Sequence, residues 1–109
     1  SRAYLEHILD SIELIEKNIA GMGPAEFLDN ITVQDAVIRR VQIIGEAVKK
    51  LPDNLKEKAP EIPWRKIAGA RDKVIHDYVD IDMELVWDIT QADLRPLKSA
   101  VQKLLKDAE

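Results

Sequence analysis

Arg71 and His76 are the two residues of this chain best suited to chemistry on a phosphate group. A guanidinium carries a permanent charge and a fork of N–H donors that matches phosphate oxygens, while an imidazole exchanges protons near neutral pH. In a helix, five residues turn through roughly 140°, so the pair flanks a groove instead of stacking. A long Arg can still reach the same ligand. Asp72 sits four residues before His76 on its face, where a carboxylate can bond one ring nitrogen and fix the tautomer. The expected helix end, with Asp77 and Asp80 nearby, favours the imidazolium. On this hypothesis His76 transfers protons and Arg71 stabilises charge on a phosphate. Spacing alone favours a plainer reading: a solvated histidine at a helix end, and an Arg bridged to an acidic core neighbour such as Glu46.

The helix that must position these groups is expected to start at Trp64, after a first-turn proline at Pro63, and to end near Tyr78. Trp64, Ile67, Val74, Ile75 and Tyr78 share one face, with Arg71 in its middle. An unpaired guanidinium is costly to bury, so Arg71 must snorkel out, meet a carboxylate, or line a polar pocket or interface. Val79, Asp80 and Ile81 then form a turn, and Asp82 is a good N-cap for a helix Met83–Gln91. Asp93 can cap a last helix with Pro96 in its first turn and Leu97, Val101, Leu104 and Leu105 packing inward.

Upstream, Leu5, Ile8, Ile12, Ile15 and Ile19 recur at three- and four-residue steps and mark a first helix. Gly21 to Pro24 end it, and a short turn follows around Ala25 to Asn30. A second helix is expected from about Thr32 to Leu51, with Val37, Val41, Ile44, Val48 and Leu51 as its seam. Ala36, Ile43 and Ala47 form a flanking row around Arg40, so this helix needs more than one neighbouring helix, or another subunit. Pro52 closes it, Asp53 can cap a short helical segment through Lys58, and Pro60 to Pro63 is a linker. Gly45 and Gly69 fall inside helices, where each costs about 1 kcal/mol relative to Ala, and close approach of two helices is the expected compensation. Active-site access is the alternative. The result is an all-α chain folded as a four- or five-helix up-down bundle.

The bulk properties fit one domain spanning residues 1–109. With 46% hydrophobic and 33% charged residues the chain is globular. The absence of cysteine excludes disulfides and thiolate metal sites, and no metal or cofactor is implied. No apolar run approaches a membrane span of ~20 residues and no signal peptide is visible, so the cytoplasm is the expected location. Ser1 to Tyr4 already read as helix, so a few native residues are expected upstream. A net charge of −4 does not advertise nucleic-acid binding. Binding to RNA would need a local basic patch, or a dimer that pools two.

The string Arg71-Asp72-Lys73-Val74-Ile75-His76-Asp77-Tyr78 resembles the Arg-x4-His-x-Tyr signature of the HepT-like toxins within the HEPN superfamily. Gln34 to Arg40, Ile44 to Ala47, Ile62 to Gly69, Tyr78 to Asp82 and Leu85 to Trp87 continue the resemblance, in order, over nearly the whole chain. Asp72 is a departure, since the family more often has Asn there, and it places a negative charge near the phosphate. The resemblance implies a HEPN-like bundle that dimerises and brings two Arg/His motifs to one cleft. It implies the toxin of a toxin-antitoxin pair, a metal-independent endoribonuclease in which the ribose 2′-OH attacks the adjacent phosphate. His76 would be the general acid or base and Arg71 would stabilise the phosphorane. Arg39, Arg40 and Lys73, with Arg65 and Lys66, would line the shared cleft. The implied partner is a minimal nucleotidyltransferase, the antitoxin, which transfers AMP from ATP to Tyr78. Two other functions fit the same elements: a noncatalytic helical subunit that helps a nucleotidyltransferase bind its substrate, and a plain dimeric scaffold. At single positions the plain readings also stand: Arg39-Arg40 as a solvated basic step, Tyr78 as a helix-end core aromatic, and Trp64 and Trp87 as core anchors instead of base-stacking platforms. His7, off the first helix's seam, has no assigned role.

Overall fold

Leu5, Ile8, Ile12 and Ile15 are all buried along helix α1 (Arg2–Ile19), so the apolar stripe of the sequence is the stripe that packs. The computed structural model describes residues 1–74 and 82–108, with the side chains of 71–74 excepted. Helix α2 (Pro24–Leu28) follows, then α3 (Ile31–Lys50), α4 (Asp53–Lys56), α5 (Trp64–Val74), α6 (Met83–Ala92) and α7 (Leu94–Asp107). Among the described residues there is no strand, and α1, α3, α5, α6 and α7 are the five helices of ten residues or more.

Helix α3 is the centre of the bundle. Val37, Val41, Ile44 and Val48 are buried on it, joined by Ile38 and Ala47. It packs against both α1 and α5, and more lightly against α2 and α6, so its wide apolar surface is covered within the chain. Helix α7 closes the other side of α1 through Leu97, Val101 and Leu104. Each fully buried Leu, Ile or Phe stabilises the bundle by about 1.5–3 kcal/mol relative to exposure. At the rim, Lys98 of α7 donates to Glu16 of α1 at 2.8 Å, and this hydrogen bond holds the ammonium pKa above its usual value.

The segment read as a turn around Ala25 to Asn30 is a helix. Pro24 is pre-set for its first position, and the Gly23 N–H donates to Glu26 Oε1 at 3.4 Å. What holds so short a helix is tertiary. Phe27 is fully buried, with its ring centroid 5.3 Å from that of Trp87 on α6. Gln34 Nε2 donates to the carbonyls of Phe27 at 2.9 Å and Leu28 at 3.0 Å, which tethers the end of α2 to α3. Asn30 then caps α3 by accepting from Val33 N at 3.1 Å, so that helix begins one residue earlier than expected.

Two caps differ from the sequence reading and one agrees. Asp82 accepts from Leu85 N at 3.0 Å, as its position before α6 suggests. Asp53 is the first residue of α4 and Pro52 holds the cap position; the helix stops at Lys56 instead of continuing to Lys58. Asp93 occupies the N-cap of α7, but its side chain caps nothing. Its Oδ1 instead meets Lys66 Nζ at 3.4 Å, an ion pair that ties α5 to the α6–α7 junction.

Candidate active site

Helix α5 carries the first half of the motif, and its start is pinned by one aromatic side chain. Trp64 is buried, and its indole N–H donates to the carbonyls of Ala59 at 3.0 Å and Lys56 at 3.1 Å. Ile67 and Ala70 continue the buried face of α5. With Val41 and Ile44 of α3, and with Ile89 and Leu94, they line a small apolar gap. At the other end of the helix, Trp64, Arg65 and Ala68 share a groove with Lys49 of α3. The two helices therefore run antiparallel.

The backbone of α5 is helical through Val74. At 100° per residue, position 71 falls between Trp64 and Ile67 on the helix, on the side that the bundle buries. Trp64 and Ile67, two members of the apolar face expected around Arg71, are both buried. The side chains of Arg71, Asp72 and Lys73 lie outside the described residues, as do His76, Tyr78 and the turn expected at Val79 to Ile81.

Within one chain, Arg39 and Arg40 are separated from Arg65 along the α3–α5 contact. Because Val41 and Ala70 line the same gap, Arg40 is at the level of position 71, half-buried, with Arg39 exposed beside it. Arg65 is at the far end of α5, beside Lys49 and Lys56. Lys66 is engaged by Asp93. The core-anchor readings of the two tryptophans hold: Trp64 is buried, and Trp87 packs on Phe27.

Glu46, the acidic neighbour considered for Arg71, is exposed on α3 and lines a groove with Tyr4, His7, Ile43, Ala47 and Lys50. His7 has no role legible in the sequence, and the packing of α1 on α3 brings it near Glu46. Gly69 corrects an expectation. A Cβ built there meets nothing within 4 Å among the described residues, so none of the described helices approaches it closely. Gly45, by contrast, is buried within α3.

Among the described residues no cluster of three or more His, Asp or Glu side chains is arranged to hold a metal ion. No described helix is long and apolar enough to cross a membrane.

Comparison with known proteins places this arrangement. A family model described as "Ribonuclease HepT-like" matches residues 8–104, a span that includes positions 71, 76 and 78. The chain is 44% identical over 103 residues to a protein of Thermococcus cleftensis named "Probable ribonuclease HepT", covering 94% of each chain. It is 38% identical over 108 residues to a Methanocaldococcus jannaschii protein named "Putative RNase", covering 99% of this chain and 89% of that one. A second protein of that organism, named "Gamma-glutamylcyclotransferase and putative RNase", is 41% identical over 108 residues. That match takes in 99% of this chain but 49% of the relative, so the chain spans about half the relative's length. No solved structure matches the chain at a significant level. A helical bundle and a family match over almost its full length leave one conclusion: the chain belongs to the HepT-like ribonuclease family.

Proposed function

We propose that this chain is a metal-independent endoribonuclease, the toxin of a toxin-antitoxin pair, with its chemistry at Arg71 and His76. The observation that carries the proposal is the family match over residues 8–104, within which the sequence holds the complete Arg-x4-His-x-Tyr string, beginning at Arg71 on the α3-packed helix.

The chemistry is a transesterification. The ribose 2′-oxygen forms a bond to the adjacent phosphorus while the bond to the 5′-oxygen breaks, leaving a cyclic phosphate and a 5′-hydroxyl. One proton must leave the 2′-OH and one must reach the departing oxygen. A homodimer that brings two copies of His76 to one cleft supplies both transfers, one imidazole as base and the other as acid. Arg71 faces the extra negative charge of the phosphorane, which is the point where a fixed cation lowers the barrier most. Asp72 orients the imidazole. Arg39, Arg40 and Lys73 hold flanking phosphates.

Regulation acts on the same surface. A minimal nucleotidyltransferase transfers AMP to the Tyr78 hydroxyl, seven residues after Arg71 in the sequence. The added phosphate competes for the guanidinium and the nucleotide fills the cleft. In this reading the protein works in the cytoplasm and needs no cofactor.

Growth on expression tests the proposal. Wild type is expected to arrest growth, and His76→Ala and Arg71→Ala are each expected to relieve the arrest. If both substitutions leave the arrest unchanged, the catalytic assignment is wrong. A chain that never arrests growth but raises its nucleotidyltransferase's affinity for substrate is a noncatalytic subunit.

A further inference from the structure

The cations of this chain are unevenly spread. Residues 49–66 hold six Lys or Arg against three Asp or Glu, a surplus of three in a chain of net charge −4. The fold gathers half of those six. Lys49 near the end of α3, Lys56 at the end of α4 and Arg65 in the first turn of α5 line one open groove of about 360 Å³ with Asp53, Trp64 and Ala68.

Among the described residues, those three cations are uncommitted. Arg2, Lys66 and Lys98 each meet a carboxylate. Among the described residues, neither an ion pair nor a hydrogen bond engages the charged ends of Lys49, Lys56 or Arg65. Asp53 is the one carboxylate in the lining, so the groove stays net positive. The start of α5 adds to this. The N–H groups of Arg65 and Lys66 have no backbone acceptor among the described residues, and they stand at the positive end of an 11-residue helix.

The groove also points the right way. Arg65, Ala68 and backbone position 72 fall on one side of α5, at helical steps of three and four residues. From Arg65 to position 71 the rise along the axis is about 9 Å. A strand lying across the three cations therefore leads along α5 toward the motif.

We propose that Lys49, Lys56 and Arg65 form a phosphate-holding groove that seats the single-stranded RNA flanking the scissile bond. This inference rests on the reading of the chain as a ribonuclease and adds where its substrate docks. The groove binds ground state and transition state alike, because it touches the strand away from the reacting phosphate. Removing its charge therefore weakens binding without slowing the bound complex.

The test compares wild type with the triple variant K49Q/K56Q/R65Q, and with a charge-matched control, K17Q/K103Q/K106Q, whose lysines are exposed elsewhere. The probe is a single-stranded RNA of about 15 nucleotides, long enough to span groove and motif. Cleavage and fluorescence-anisotropy binding are measured across a salt series. The groove variant is expected to raise KM and Kd about tenfold or more, with kcat near wild type. Its plot of log Kd against log salt should flatten by about 2, since three phosphate contacts on a single strand are lost. A dinucleotide substrate should not distinguish it from wild type.

If wild type cuts RNA and the groove variant matches the control in affinity and salt slope, the groove inference is overturned while the nuclease reading stands. If wild type does not cut but its binding shows the groove-dependent slope, the groove stands and the nuclease reading fails.

Discussion

The indole N–H of Trp64 donates to the carbonyl of Ala59 at 3.0 Å, and with Lys56 as second acceptor it locks the start of the motif helix to the segment before it. Every position on α5, including Arg71, takes its height against α3 from that lock. Trp64→Phe keeps an aromatic ring but removes the indole N–H, while each carbonyl retains a backbone donor, Ala59 N–H to Lys56 and Ile62 N–H to Ala59. A loss of about 0.5–1.5 kcal/mol is expected in urea unfolding. A midpoint equal to that of wild type would show that the bond does not hold α5.

Gln34 joins two elements in the same manner. It is 7% exposed, and its amide serves the carbonyls of both Phe27 and Leu28. Gln34→Met preserves bulk and removes the donor, so stability should fall by about 1–3 kcal/mol. Proteolysis should then begin near α2, because little besides Phe27 and this amide holds a five-residue helix. Cleavage starting elsewhere would contradict the tether.

Gly69 offers a gain. A methyl group there meets open space, and the residue sits inside α5. Gly69→Ala is expected to stabilise the protein by about 0.5–1 kcal/mol, read as a raised melting temperature. A lower melting temperature would mean that the position does need glycine. Lower RNA cleavage at higher stability would favour the active-site-access reading.

Tyr78 is the proposed point of control. Incubated with its nucleotidyltransferase and ATP, wild type should gain the mass of one or more adenylyl groups and lose ribonuclease activity. Tyr78→Phe should gain no mass and stay active. Adenylylation of the Phe variant to the wild-type extent would place the modification at another residue.

The main helices were legible because their apolar residues recur at helical spacing. The stripe of α1 and the seam of α3 are buried as their sequence implies. Asp82 reads as a cap because capping is local chemistry. Features that depend on distant partners were not legible. Helix α2 exists because Phe27 finds Trp87 and Gln34 reaches back, and neither contact has a periodic signature. Asp93 looks like a cap, yet it is drawn to Lys66, 27 residues earlier in the chain. The grouping of Lys49 and Lys56 with Arg65 arises only when α4 folds the chain back and α5 runs antiparallel to α3. Of the candidate site, the start of the helix that carries Arg71 could be read in advance, while His76 and Tyr78 lie outside the described residues. The separation of Arg65 from Arg40 could not, because it depends on which end of α5 meets which end of α3.

Whether Arg71 and His76 cut RNA decides the proposed function. The direct measurement is single-turnover cleavage of a labelled RNA by the purified chain in the presence of a metal chelator. Wild type should cleave and leave a cyclic phosphate end. His76→Ala should be slower by about 10²–10⁴-fold, and Arg71→Ala by about 10²–10³-fold. Cleavage by either variant at the wild-type rate, or a wild type that cleaves only when a divalent metal is restored, would contradict it.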